Sequence, residues 1–182
     1  MLNSNAFHST DRCLLSFLEH HPSLTNALLA DCQYDLDAVK RLIDIAIKAP
    51  ARCQMSDRYI QAIATDRITF LITNLVNKDQ SQVLDISSSW LIGRAPTCAI
   101  SVHDWSVSRC HAVIGYYPSS GFYVTDLGSS NGTWVNRRQL SAHERRILRD
   151  GDLIQIGEFQ IEFFSAIRRP VMISEFYEAT YS

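Results

Sequence analysis

Two hydrophobic periods divide this chain. Up to about Ile63 the apolar residues recur every three or four positions, and from Asp66 onward they come in short runs, several of them alternating with polar residues. The first pattern predicts helices. After Thr10 or Asp11, either of which is a good N-cap, Leu14, Leu15, Phe17 and Leu18 share one helical face until His20-His21-Pro22 stops it. A second short helix is predicted over Ser23–Cys32, with Leu24, Ala27, Leu28 and Leu29 as its stripe. Asp35 caps the clearest helix, in which Leu36, Val39, Leu42, Ile43, Ala46 and Ile47 repeat until Ala49-Pro50 breaks it. A fourth helix is predicted from Ser56 through Tyr59, Ile60 and Ile63.

The second pattern predicts strands. Runs such as R-I-T-F-L-I-T, W-L-I-G, H-A-V-I-G-Y-Y, F-Y-V-T-D-L, D-L-I-Q-I and F-Q-I-E-F-F are rich in β-branched and aromatic residues. Turn residues separate them at Asn77-Lys78-Asp79, Pro118-Ser119-Ser120-Gly121, Ser130-Asn131-Gly132 and Asp150-Gly151-Asp152. Many short strands without interleaved helices indicate an antiparallel β-sandwich. The chain thus reads as a helical extension over residues 1–65, a sandwich over 66–165, and a tail over 166–182 in which Pro170 interrupts mixed polarity. A helical segment of this size cannot bury its own stripes, so these are expected to pack on each other and on one sandwich face. The competing reading makes the helices a docking or dimerisation module.

Composition narrows the functions without choosing one. With 182 residues, 46% of them apolar, the chain can bury a sizeable core. Its formal charge of −2 gives no general attraction to nucleic acid or anionic lipid, so any anion site must be local. The five cysteines Cys13, Cys32, Cys53, Cys98 and Cys110 are odd in number and scattered, which favours reduced thiols and a cytoplasmic protein. No signal-like segment opens the sequence, and its apolar runs are far short of a membrane span.

Candidate chemistry is concentrated between Trp90 and Thr133. Three polar clusters, Gly93-Arg94, Ser108-Arg109-Cys110-His111 and Ser129-Ser130-Asn131-Gly132, each follow or interrupt a predicted strand, so their loops can meet at one end of a sheet. They offer two guanidinium groups, hydroxyls and a side-chain amide, with no acid inside any cluster. That set suits a tetrahedral dianion far better than a metal or a nucleophilic attack.

These clusters resemble the forkhead-associated (FHA) family, whose signature positions are G-R, S-x-x-H and S-x-N-G-T. Arg94, Ser108, His111, Ser130, Asn131 and Thr133 match in order, and D-G-D-L-I-Q-I-G-E-F-Q-I-E-F from Asp150 to Phe163 is similar to the family's last two strands. The resemblance covers roughly the second half of the chain. It implies a mainly β, FHA-type sandwich of about ten or eleven strands preceded by the small α-helical segment. It also implies a phosphothreonine reader in which Arg94, Ser108, Arg109 and Ser130 contact phosphate. By the same resemblance Asn131 holds the peptide main chain, while Gly93, His111, Gly132 and Thr133 support the loops. Cys110 departs from the basic residue common at its place in the family, which lowers the positive potential expected near the pocket.

Other constellations are weaker. Cys110 and His111 are adjacent in an extended segment, so their side chains point to opposite faces and cannot act as nucleophile and base. Cys13, His20, His21 and Cys32 fit no standard zinc spacing, and no metal is expected. The basic residues Arg137, Arg138, Arg145, Arg146 and Arg149 lack interleaved aromatic platforms and read as a solvated face, not a nucleic-acid surface. No Walker sequence, Gly-rich phosphate loop or G-x-S-x-G elbow occurs, so neither a cofactor nor an enzyme is expected. The function this predicts is a phosphothreonine-peptide-binding adaptor in Ser/Thr-kinase signalling, whose partner is a phosphorylated protein, either a kinase or its substrate. The alternative is a phosphate-independent scaffold or assembly protein that uses the fold and the helices for protein contacts, homo-oligomeric ones included. Thr10 and Thr180, near the two termini, are candidate phosphorylation sites that could supply a ligand to the same or a neighbouring molecule.

Overall fold

The computed structural model of the protein describes residues 16–168. Cys13, Thr10, Thr180 and most of the predicted tail lie outside them. The helical part begins with α1 over residues 16–20, α2 (Pro22–Asp31) and α3 (Leu36–Lys48), followed by a 3-10 turn over Ala49–Arg52. Pro22 occupies the first turn of α2, where its missing N–H costs nothing. The Asp35 carboxylate accepts from the Ala38 backbone N–H at 3.0 Å and so caps α3.

Twelve strands follow: β1 (Tyr59–Ala64), β2 (Thr69–Thr73), β3 (Gln82–Val83), β4 (Ser89–Gly93), β5 (Ile100–Ser101), β6 (Ala112–Tyr117), β7 (Gly121–Asp126), β8 (Thr133–Val135), β9 (Arg138–Gln139), β10 (Arg145–Ile147), β11 (Asp152–Ile156) and β12 (Phe159–Ile167). They form a seven-stranded sheet in the order β3-β2-β1-β12-β11-β8-β9 and a five-stranded sheet in the order β10-β7-β6-β4-β5. Pairing is antiparallel except for β1 with β12 and β4 with β5, which are parallel.

The segment from Ser56 through Ile63 corrects the sequence reading, since most of it is strand β1 and not a fourth helix. All six residues of β1 are buried, because its two faces enter two different cores. Ile60, Ala62 and Ala64 point between the sheets, whereas Tyr59 and Ile63 point toward the helices. A strand covered on both sides shows no apolar–polar alternation, and apolar residues at positions 59, 60 and 63 mimic a helical stripe. Strand β9 escaped for the opposite reason: Arg138 and Gln139 are polar and exposed.

The main core lies between the sheets and includes Trp90, Ile92, Ile114, Phe122, Val124, Ile154, Ile161 and Phe163. A second core joins Leu24, Leu28, Val39, Leu42, Ile43 and Ala46 of the helices to Tyr59, Ile63, Phe70, Ile72 and Phe164 on the outer face of the larger sheet. Most of the helical stripe residues are therefore buried on the sandwich, while Leu36 at the start of α3 stays exposed. Where the helices hand over to β1, the Oε1 atom of Glu162 accepts from the backbone N–H groups of Gln54, Met55 and Ser56 at 2.7, 2.6 and 2.8 Å. One carboxylate thereby satisfies three donors of an otherwise irregular connection.

Candidate functional site

Loops at one end of the smaller sheet gather the three polar clusters. Arg94 follows β4, and its backbone N–H donates to the Ser108 carbonyl at 2.9 Å, while Ala95 N–H donates to the Arg109 carbonyl at 3.1 Å. These bonds lay the Gly93-Arg94 and Ser108-Arg109 segments side by side. The approach is closest at Gly93, where an added Cβ would stand 2.2 Å from the Arg109 carbonyl oxygen, so only glycine fits.

The second and third clusters meet through hydroxyls and backbone. Ser108 Oγ accepts from the Ser130 backbone N–H at 3.0 Å and donates to Ser130 Oγ at 3.4 Å. Asn131 Nδ2 donates to the Ser106 carbonyl at 2.8 Å, which ties the β7–β8 loop to the loop before Ser108. The Arg94 guanidinium donates from Nε to the Val107 carbonyl at 3.3 Å and lies over the Trp105 ring, 4.7 Å from its centroid. One of its five N–H donors is thus committed, and the group is held at the edge of the cleft it lines.

His111 lies beneath this rim, fully buried. Its Nδ1 accepts from the Ser108 backbone N–H at 3.1 Å, so the proton sits on Nε2, which donates to the Gly132 carbonyl at 2.9 Å. Burial pushes the imidazole below its ordinary pKa, opposed by the Gly132 carbonyl and by the nearby Asp126 charge. The ring is a neutral brace across two loops with both nitrogens occupied. Cys110, one residue earlier, is exposed.

The Asp126 carboxylate organises the third cluster from below. Its Oδ2 accepts from the Gly128 and Ser129 backbone N–H groups at 2.8 and 3.0 Å, and its Oδ1 accepts from Ser129 Oγ at 2.6 Å and Thr133 Oγ1 at 2.7 Å. Burial raises its pKa, but the hydrogen bonds from Ser129, Thr133 and Gly128 outweigh burial and hold it below the usual carboxylate value. Sequence reasoning missed Asp126. The signal was available in D-L-G-S, since an Asp whose side chain caps the N–H groups two and three residues on is a common turn device. It also missed Trp105 and Ser106, because neither belongs to a signature position.

Together these residues leave an open cleft of about 560 Å³ lined by Arg94, Ala95, Ser108, Arg109, Cys110, Gly128 and Ser130. No Asp or Glu is among the lining residues. The cleft presents two guanidinium groups, two hydroxyls and the backbone of a glycine turn, a set suited to an oxyanion. Asn131, Gly132 and Thr133 stand beside it: Asn131 exposed, Gly132 buried with φ +82° as the turn requires, and Thr133 buried on Asp126.

The family profile described as "FHA domain" matches residues 90–157. The chain carries an FHA domain. The matched segment runs from β4 to the end of β11 and contains the loops after β4, before β6 and after β7 that form the cleft. Over 76 residues the chain is 41% identical to the oxoglutarate dehydrogenase inhibitor of Corynebacterium diphtheriae, covering 42% of this chain and 50% of that protein. Over 73 residues it is 40% identical to the glycogen accumulation regulator GarA of Mycobacterium tuberculosis, covering 40% of this chain and 43% of that one. The chain spans about half the length of the curated relatives it matches. Among solved structures it is similar to the FHA domain of an Arabidopsis thaliana hypothetical protein, at 27% identity and a TM-score of 0.43, covering 51% of this chain and 80% of that one. Among the described residues, no helix is long and apolar enough to cross a membrane.

Proposed function

We propose that this FHA domain binds a phosphothreonine-containing segment of a partner protein and that the chain works as an adaptor in Ser/Thr-kinase signalling in the cytoplasm. One observation carries this reading: Arg94, Ser108, Arg109 and Ser130 line a single cleft that no carboxylate enters. A phosphothreonine brings nearly two negative charges and three acceptor oxygens, and these four side chains are donors already gathered around one space. In this reading Arg94 and Arg109 supply charge, and Ser108 and Ser130 supply hydroxyl and backbone donors. Asn131 meets the ligand's main chain with its side-chain oxygen and its second Nδ2 hydrogen, the first being held by the Ser106 carbonyl. Gly93, His111, Gly132 and Thr133 hold the loops without touching the ligand. The regulator and inhibitor relatives agree with a binding role.

The scaffold alternative would use the sandwich face or the helices, whose stripes are mostly buried against the larger sheet, with Leu36 left exposed. Titration of a phosphothreonine peptide library and its unphosphorylated twin decides between the two. Binding confined to the phosphorylated set, weakened about tenfold or more in Arg94→Ala, supports the reading. Equal affinity for both sets rejects it.

A further inference from the structure

Trp105 is the most exposed large apolar side chain among the described residues, with 88% of its surface open to solvent. Its backbone, by contrast, is tightly held. Asp104 Oδ1 accepts from Ser106 N–H at 2.7 Å and from Ser106 Oγ at 2.6 Å, closing the turn that carries the tryptophan. Ser106 Oγ in turn accepts from the Glu158 N–H at 3.0 Å, and the Ser106 carbonyl accepts from Asn131 at 2.8 Å. Gly157 packs so closely that a Cβ there would lie 2.4 Å from the Ser106 carbonyl oxygen. The turn that presents the indole is therefore firmly braced. The indole stands on the stretch of loop that also gives Arg94 its Val107 acceptor and Asn131 its Ser106 acceptor.

A lone exposed apolar side chain is ordinary on a protein surface, but this one stands beside Arg94 at the edge of the cleft, where a ligand held there would reach it. One face is already occupied by the Arg94 guanidinium, 4.7 Å from the ring centroid. A second cation on the opposite face would be repelled by the first, and an anion would be repelled by the negative face of the π-system. An apolar side chain meets neither penalty. Resting on the phosphothreonine reading above, we propose that the open face of Trp105 takes an apolar side chain of the ligand adjacent to its phosphothreonine. Trp105 would then be a selectivity-determining residue of the site.

The test uses the full chain and a series of phosphothreonine peptides with glycine at every flanking position except one, which carries leucine in turn. Calorimetric titration should find one flanking position at which leucine tightens binding about fivefold to tenfold over the all-glycine peptide. In Trp105→Ala that preference should vanish while the all-glycine peptide still binds, and Trp105→Tyr should keep part of it. Emission gives an independent reading, because Trp90 is buried and Trp134 half-buried, so the solvent-exposed contribution comes from Trp105. The preferred peptide should shift wild-type emission to shorter wavelength, and Trp105→Ala should show no such shift. If the phosphopeptides bind but leucine gives no preference at any position, or the same preference in Trp105→Ala, the proposal is overturned and the phosphate reading stands. If no phosphopeptide binds the wild-type chain, both fall together.

Discussion

Ser108 and Ser130 lie 22 positions apart in the chain, yet the Ser108 hydroxyl accepts from the Ser130 backbone N–H at 3.0 Å. That bond joins the loop before β6 to the loop after β7, so the two hydroxyls face one cleft without any rearrangement. Pre-set donors are worth more than mobile ones, because binding then pays little ordering entropy. Ser108→Ala removes the acceptor that fixes Ser130 and, in the proposed binding mode, a donor to the phosphate. Its affinity for a phosphothreonine peptide should fall by about an order of magnitude, since hydrogen bonds to a charged group contribute roughly 1.5–3 kcal/mol. Thermal stability should change far less, because Ser130 is exposed and its N–H can turn to water. Parallel calorimetry and thermal melts check both halves.

The His111 ring spans the same two loops from beneath. His111→Phe keeps the ring volume but leaves the Ser108 N–H and the Gly132 carbonyl without partners in a buried place. Each unsatisfied group costs about 1–3 kcal/mol, so the variant should lose several kcal/mol of unfolding free energy in urea titration. His111→Asn, which can replace at most one of the bonds, should fall between it and the wild type.

Acid should weaken the fold in a defined window. Burial lowers the pKa of His111 in the folded chain relative to about 6.5 in the unfolded one. The unfolded state therefore binds more protons between the two values. Stability is full above pH about 6.5, declines as the pH falls below it, and levels off once the folded ring itself takes up a proton. His21 is lowered as well, by burial and by His20, and acts with the same sign. The decline should persist in His21→Gln and shrink in His111→Asn, as read from urea midpoints between pH 7.5 and 5. Asp126, also held below its usual value, adds a second loss only at much lower pH, below about 3.9.

Glu162 ties the helical layer to the sandwich. Its carboxylate is buried, and one oxygen serves three backbone donors of residues 54–56. Glu162→Gln retains an acceptor oxygen but loses the charge, and should cost about 1–3 kcal/mol. Hydrogen exchange should locate that cost, with protection falling first at Gln54, Met55 and Ser56 and phosphopeptide affinity left unchanged.

The change of hydrophobic period near Asp66, together with the turn residues, was enough to give the class of the fold, because alternation and turn chemistry act within a few neighbouring residues. Helices α2 and α3 were legible for the same reason, down to the Asp35 cap. Strand β1 was not, since its burial on both faces exists only once the helices lie on one side and the second sheet on the other. The signature spacing singled out Arg94, Ser108, Asn131 and their neighbours as one group. Asp126, which holds the third loop from below, carried only a faint local signal.

Sequence by itself determined which segments alternate, where the turns fall and which donors are available between Trp90 and Thr133, all properties of residues close together along the chain. Tertiary structure alone decided that Ser108 meets Ser130, that both ring nitrogens of His111 are consumed, and that Trp105 stands open beside Arg94. Those are contacts across long separations, and they depend on how two sheets and three loops are placed, which no local pattern encodes.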